Sequence, residues 1–190
     1  MAQNFNYGSG RLTAGIALAI ADGKIKGTFS QETVNRIKQS QQHVKDIINM
    51  QRIVYGINTG FGILANTSIS EEDTRTLQHK IIQSHSVGVG DPIPVDVVKL
   101  MLITKVHALA KGFSGVQFST LERIVWHIEN NILPIVPEKG SVGASGDLAP
   151  LAHLFLPLLG LGEVYYRNEK INAAEMLRQE NLSPITLGPK

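Results

Sequence analysis

No cysteine occurs in the 190 residues. That excludes a disulfide framework and any thiolate metal site. No basic run stands out either: 18 Lys and Arg face 16 Asp and Glu, for a formal net charge of +2. This balance leaves no electrostatic footprint for nucleic acid or an acidic membrane surface. The longest apolar run, Leu148 to Leu161, is broken by Pro150, His153 and Pro157 and is too short to span a bilayer. The opening MAQNFNYGSGR lacks a basic start followed by an apolar core, so no signal peptide is expected, and the cytoplasm is the expected location. The histidines at 43, 79, 85, 107, 127 and 153 form no metal-ligand spacing, and no H-E-x-x-H occurs. Tandem repeats and low-complexity tracts are also lacking. A hydrophobic content of 43% remains, enough for a real core.

What is present in excess is a cluster of small residues. Gly140 to Gly146 reads GSVGASG, and the chain then turns at once into an apolar helix-like run. Apolar segments flank it on both sides, so a loop held inside the protein is expected. Such a loop must satisfy its backbone groups by special means. It is not a nucleophile elbow, because Asp147 stands where G-x-S-x-G needs glycine. It is not a P-loop, because no Lys-Ser or Lys-Thr follows the glycines. A generic anion nest stays open.

Another chemistry fits Ala144-Ser145-Gly146 better. The Gly146 nitrogen has no side chain beside it, and glycine reaches backbone geometries closed to other residues. Its attack on the Ala144 carbonyl with loss of water closes a five-membered ring. Loss of the Ser145 hydroxyl as a second water leaves an exocyclic methylene. The product is a 4-methylidene-imidazol-5-one, an electrophile of a kind that no ordinary side chain provides.

The remaining pattern is mainly helical. Helices are expected over 12–21 with Thr13 as N-cap, 31–50 with Ser30 as N-cap, and 71–86 with a capping box at Ser70 and Asp73. Others are expected over 95–111, after a cap at Ser119 or Thr120, from Asp147 to Gly160, and over 173–180. Residues 53–62 form a second glycine-rich loop. One small hairpin pairs 163–166 with 170–171 around Arg167-Asn168-Glu169.

Three stretches carry a family resemblance. GSVGASGDLAPLAH from Gly140 to His153 resembles the signature of the histidine and aromatic amino acid ammonia-lyases. VYGINTGFG from Val54 to Gly62 resembles that family's second signature. QSHSVGVG from Gln83 to Gly90 resembles its substrate-side segment. The resemblance runs from about Leu12 to the last residue. It implies a ring-bearing, mainly α domain with helices around glycine-rich loops and one small hairpin. It also implies elimination of ammonia from an amino acid, with no metal, no nucleic acid and no membrane partner.

The resemblance implies roles residue by residue. Ala144, Ser145 and Gly146 form the ring, and its methylidene carbon takes the electrons of the substrate amine. Tyr55 removes a proton from the substrate β-carbon, which requires a site that favours phenolate over the usual phenol. Read alone, Tyr55 is a packed aromatic. Asn58, Thr59, Gly60 and Phe61 shape the pocket, or Asn58 and Thr59 serve as turn formers. Ser84 and His85 resemble the histidine-specific branch, where imidazole holds imidazole; read alone, His85 is a helix-end histidine. Some tyrosine-using relatives share this Ser-His pair, while phenylalanine-specific members are apolar there. Asp147 either starts a helix or steers ring closure. The other histidines read as surface or core residues.

With histidine as substrate the product is urocanate. The alternatives are a tyrosine or phenylalanine ammonia-lyase or aminomutase, or a non-catalytic interaction module. Proteins of the resembled family are much longer and complete their site with downstream residues. Residues 1–190 are therefore expected to be the N-terminal portion of a longer, homotetrameric lyase, without its helical bundle. The end at Lys190 fits either trimming by a lysine-directed protease or a deliberately shortened chain. On their own these residues are expected to be inert and to leave the ring unformed.

Overall fold

The computed structural model describes residues 3–50, 52–59, 71–141 and 148–188. Two helix starts follow directly from side-chain caps. The Thr13 hydroxyl accepts from the Ile16 amide at 3.3 Å and opens α1, Ala14–Ala21. The Ser30 hydroxyl accepts from the Thr33 amide at 3.2 Å and opens α2, Gln31–Asn49. Along α2, Thr33, Ile37 and Val44 form the buried stripe, with Val34, Ile47 and Ile48 half-buried beside it. Helix α3 spans Glu71–His85 and α4 spans Val95–Leu109. The capping box expected at Ser70 lies outside the described residues.

Helix α5, Phe118–Glu129, starts earlier than the expected caps allow. Its N-cap is Gln117, and Thr120 is buried within the first turn. Phe118 packs edge-on against Phe29, with ring centroids 5.3 Å apart. Burial of that ring outweighs the local preference for a hydroxyl cap. Helix α6, Leu148–Phe155, tightens into a 3-10 turn over Leu156–Leu159. Pro157 has no N–H to donate to the His153 carbonyl, so the α-helix stops before Gly160. Helix α7 spans Ala173–Gln179.

Three small sheets join these helices. Strand β1, Gln3–Asn6, pairs in parallel with β2, Ile25–Thr28, and α1 is the crossover between them. Strand β3, Val89–Pro92, pairs antiparallel with β5, Pro137–Lys139, with an irregularity in register. The expected hairpin is β6, Glu163–Tyr166, with β7, Glu169–Asn172. Arg167 and Asn168 both have positive φ, as the tightest hairpin turns require. Strand β4, Leu133–Pro134, adds a third strand on the outer side of β6. The expectation of a single hairpin thus missed two strand pairs and an added strand.

The main core lies between α1, α4 and α5, where Ile103, Val106 and Leu121 are completely buried. A second cluster under the hairpin joins Ile132, Val164, Tyr166, Met176 and Leu177. Among the described residues no helix is long and apolar enough to cross a membrane.

One core group is titratable. His127 is buried, and its Nδ1–H donates to the Ile132 carbonyl at 2.9 Å while Nε2 has no partner. Desolvation by burial, helped by nearby Arg123, pushes its pKa down to about 4. The unfolded chain therefore takes up this proton first as pH falls below the ordinary histidine value of about 6.5. Stability from His127 is complete above that value and is lost as pH falls toward the folded pKa. The expected loss is up to about 3 kcal/mol. His127→Asn keeps a donor for Ile132, and denaturant titrations from neutral pH to pH about 4 should show a flatter profile for that variant.

Candidate active site

The turn bearing Tyr55 is built by its own neighbours. Asn58 is buried, and its Oδ1 accepts from the Val54 amide at 3.0 Å. Its Nδ2 donates to the Arg52 carbonyl at 2.8 Å. The Thr59 hydroxyl accepts from the Gly56 amide at 3.3 Å. Both side chains therefore act as turn formers, doing for a loop what ladder bonds do in a strand. They hold Tyr55 at the surface with 64% of its area exposed.

The second segment closes α3. A helix leaves its last carbonyls without intrahelical donors. Here three consecutive side chains bond back to carbonyls one turn earlier, and one of these, on Ile82, is among the last four. Ser84 Oγ–H donates to the Ile81 carbonyl at 3.1 Å, and Ser86 Oγ–H donates to the Ile82 carbonyl at 2.6 Å. His85 Nδ1 lies 2.8 Å from the Ile81 carbonyl. A carbonyl only accepts, so Nδ1 carries a proton in this contact. The ring is half-buried and ends its helix, as its sequence position suggested.

Beyond His85 the chain is fastened to both sides of the 140–147 loop. On the incoming side, β3 pairs with β5. Gly140 has φ +141°, and a Cβ there would lie 2.8 Å from Gly88 Cα. Position 140 needs glycine for this backbone approach. On the outgoing side, α6 packs against α3, and the Gly88 amide donates to His153 Nε2 at 2.9 Å. Burial pushes the His153 pKa down, in keeping with a neutral ring that accepts at Nε2.

The structure thus joins Gly88, three residues beyond His85, to Gly140 and to His153. Ala144, Ser145, Gly146, Asp147 and Gly60 lie outside the described residues. Sequence reasoning passed over His153, reading it as surface or core. The close glycines at 88 and 140 were the available signal that two backbones meet there. Two surface cavities, of about 540 and 300 Å³, contain no residue of the three motif segments. Among the described residues no group of three or more His, Asp or Glu is placed to hold a metal ion.

A mainly helical fold thus joins the end of α3 to Gly140 and to α6. The profile of the family described as aromatic amino acid lyase matches residues 12–190. The histidine ammonia-lyase of Streptococcus sanguinis is 41% identical over 190 residues, which are 100% of this chain and 37% of that protein. The crystal structure of histidine ammonia-lyase from Trypanosoma cruzi superposes with a TM-score of 0.87 at 33% identity, over 98% of this chain and 36% of that one. A phenylalanine aminomutase of Pantoea agglomerans gives a TM-score of 0.88 at 26% identity, over 98% and 36% of the two chains. The chain belongs to the aromatic amino acid lyase family. It spans about 37% of the length of the curated relatives it matches.

The Asn58 clamp has a measurable consequence. In Asn58→Ala the half-buried Val54 amide and the carbonyl of exposed Arg52 lose these partners. The protection of the Val54 amide should fall by about 1–3 kcal/mol, read by hydrogen exchange, while α4 and α5 keep their protection.

Proposed function

We propose that these residues are the N-terminal, ring-bearing portion of a longer cytoplasmic, homotetrameric enzyme that eliminates ammonia from L-histidine to give urocanate. The observation that carries this reading is the joint at Gly88, which fastens the segment after His85 to both feet of the loop holding Ala144-Ser145-Gly146. Ring closure needs a compressed loop, and feet held together at one point suit it. The ring supplies an electrophilic methylidene carbon to the substrate amine, and neither a metal nor a diffusible cofactor is needed.

The chain's own residues do the rest. With Nδ1–H engaged by the Ile81 carbonyl, the neutral His85 ring offers Nε2 as an acceptor. It accepts an N–H from the substrate imidazole, and Ser84 stands beside it. Tyr55, carried outward by the Asn58 clamp, removes the β-proton as phenolate. Asn58 and Gly60 support the pocket wall through that turn. The exposed apolar residues Ile53, Val87, Val89 and Leu148 form surface that the remainder of the longer chain covers and dries.

Histidine is favoured over the aromatic amino acids on two grounds. The relatives named histidine ammonia-lyase reach 41% and 33% identity, against 26% for the phenylalanine aminomutase. A phenyl side chain offers His85 no donor, and a phenol offers only its O–H.

The test compares residues 1–190 with a chain extended to the relatives' length. The extended chain should lose two waters from the peptide spanning Gly140 to Leu148 and should deaminate histidine faster than tyrosine or phenylalanine. The 190 residues alone should show neither property. Ser145→Ala should abolish both water loss and turnover in the extended chain. Tyr55→Phe should keep the water loss and slow turnover by about 10²–10⁴-fold. Undiminished turnover by Ser145→Ala would sink the reading.

A further inference from the structure

We propose that His153 is a positioning residue: its Nε2, by accepting from the Gly88 amide, sets where the substrate-side segment and His85 stand relative to the electrophile-forming loop. The inference rests on the function proposed above and adds to it a residue that neither contacts substrate nor enters the ring.

Gly88 is three residues beyond His85 and just before β3. Its surroundings are crowded. A Cβ on Gly88 would lie 3.1 Å from His153 Nε2, from the Lys139 carbonyl and from Pro137 Cβ. The segment therefore runs through a narrow gap between β5 and α6. On the β5 side it is held by backbone pairing. On the α6 side, where α6 also packs against α3, Gly88 itself is held by a side-chain bond, 2.9 Å long, between residues 65 apart in sequence.

The geometry makes His153 a sensitive point. It is on the second turn of α6, whose first residue follows the loop directly. Tension or displacement of that helix is transmitted to Gly88 through the imidazole. A half-buried amide left without an acceptor must find water or move. Either response displaces Gly88, and the short tether carries the shift to the end of α3. The ring chemistry at 144–146 uses no atom of His153, so ring content and substrate hold are separable.

Two variants of the histidine-active chain test this. His153→Leu removes the acceptor and keeps an apolar body of comparable size. His153→Gln keeps an acceptor oxygen within reach of Gly88. His153→Leu should keep the two-water loss in the Gly140–Leu148 peptide, raise KM for histidine about tenfold and change kcat by less than about threefold. His153→Gln should restore KM to within about twofold of the parent. Hydrogen exchange gives a readout free of turnover: residues 86–90 should exchange faster in His153→Leu and at the parent rate in His153→Gln.

An unchanged KM in His153→Leu overturns the inference. So does a His153→Gln variant as impaired as His153→Leu, and so does global unfolding of His153→Leu, which would make His153 a core residue. Loss of the ring mass in His153→Leu also overturns it. These outcomes leave the proposed function standing. A parent chain that forms no ring or leaves histidine untouched removes the function, and this inference with it.

Discussion

The candidate site depends on one short contact between two stretches of backbone. Gly140 approaches Gly88 more closely than a side chain at position 140 would permit. That approach lets the end of α3, the strand pair β3–β5 and the start of α6 converge. Packing alone would not achieve it, because the residues meeting there are small and partly polar. Glycine removes the steric barrier, and hydrogen bonds then fix the distance. The cost of ordering glycine is met by tying its backbone down.

Neutral imidazole recurs as the means of tying. His153 accepts from the Gly88 amide, and His107 accepts from the Gly8 amide at 3.3 Å. In both rings burial holds the pKa below the ordinary value, and near His107 the charge of Lys111 adds to the effect. The carbonyl of the same Gly8 is taken by Arg36 Nη2 at 2.9 Å. A glycine amide in a tight place cannot reach a strand partner, and a half-buried ring nitrogen on a neighbouring helix replaces it. His127 inverts the arrangement by donating to a carbonyl. All three rings belong to the uncharged form, so the fold relies on histidine as a rigid amide substitute. Their ability to hold charge works against them.

The helices were legible in the sequence because their signals are local. Thr13 and Ser30 cap where hydroxyls of that type are expected, and α2 and α4 repeat their apolar residues at helical spacing. The hairpin was legible because Arg167-Asn168 sits between two alternating runs. Strands β1 to β3 and β5 were not, because each pairs with a partner some 20 to 50 residues away. Strand β3 reads Val-Gly-Asp-Pro, which looks like a turn until Lys139 and Pro137 lie opposite it. For the site, the three motif segments stood out by composition. Their junction did not: His153 is a lone histidine on an apolar helix, and nothing in one chain's letters ties it to residue 88.

The close of α3 bears on how position 85 can be interrogated. Its imidazole is at once the acceptor proposed for substrate and one of three side chains that bond back to the carbonyls of Ile81 and Ile82. Any replacement at 85 therefore alters two things together, the chemistry offered outward and the winding of the terminal turn. A defect seen after such a swap has two authors. Only a side chain that restores the inward donor while leaving the outward face blank would tell them apart.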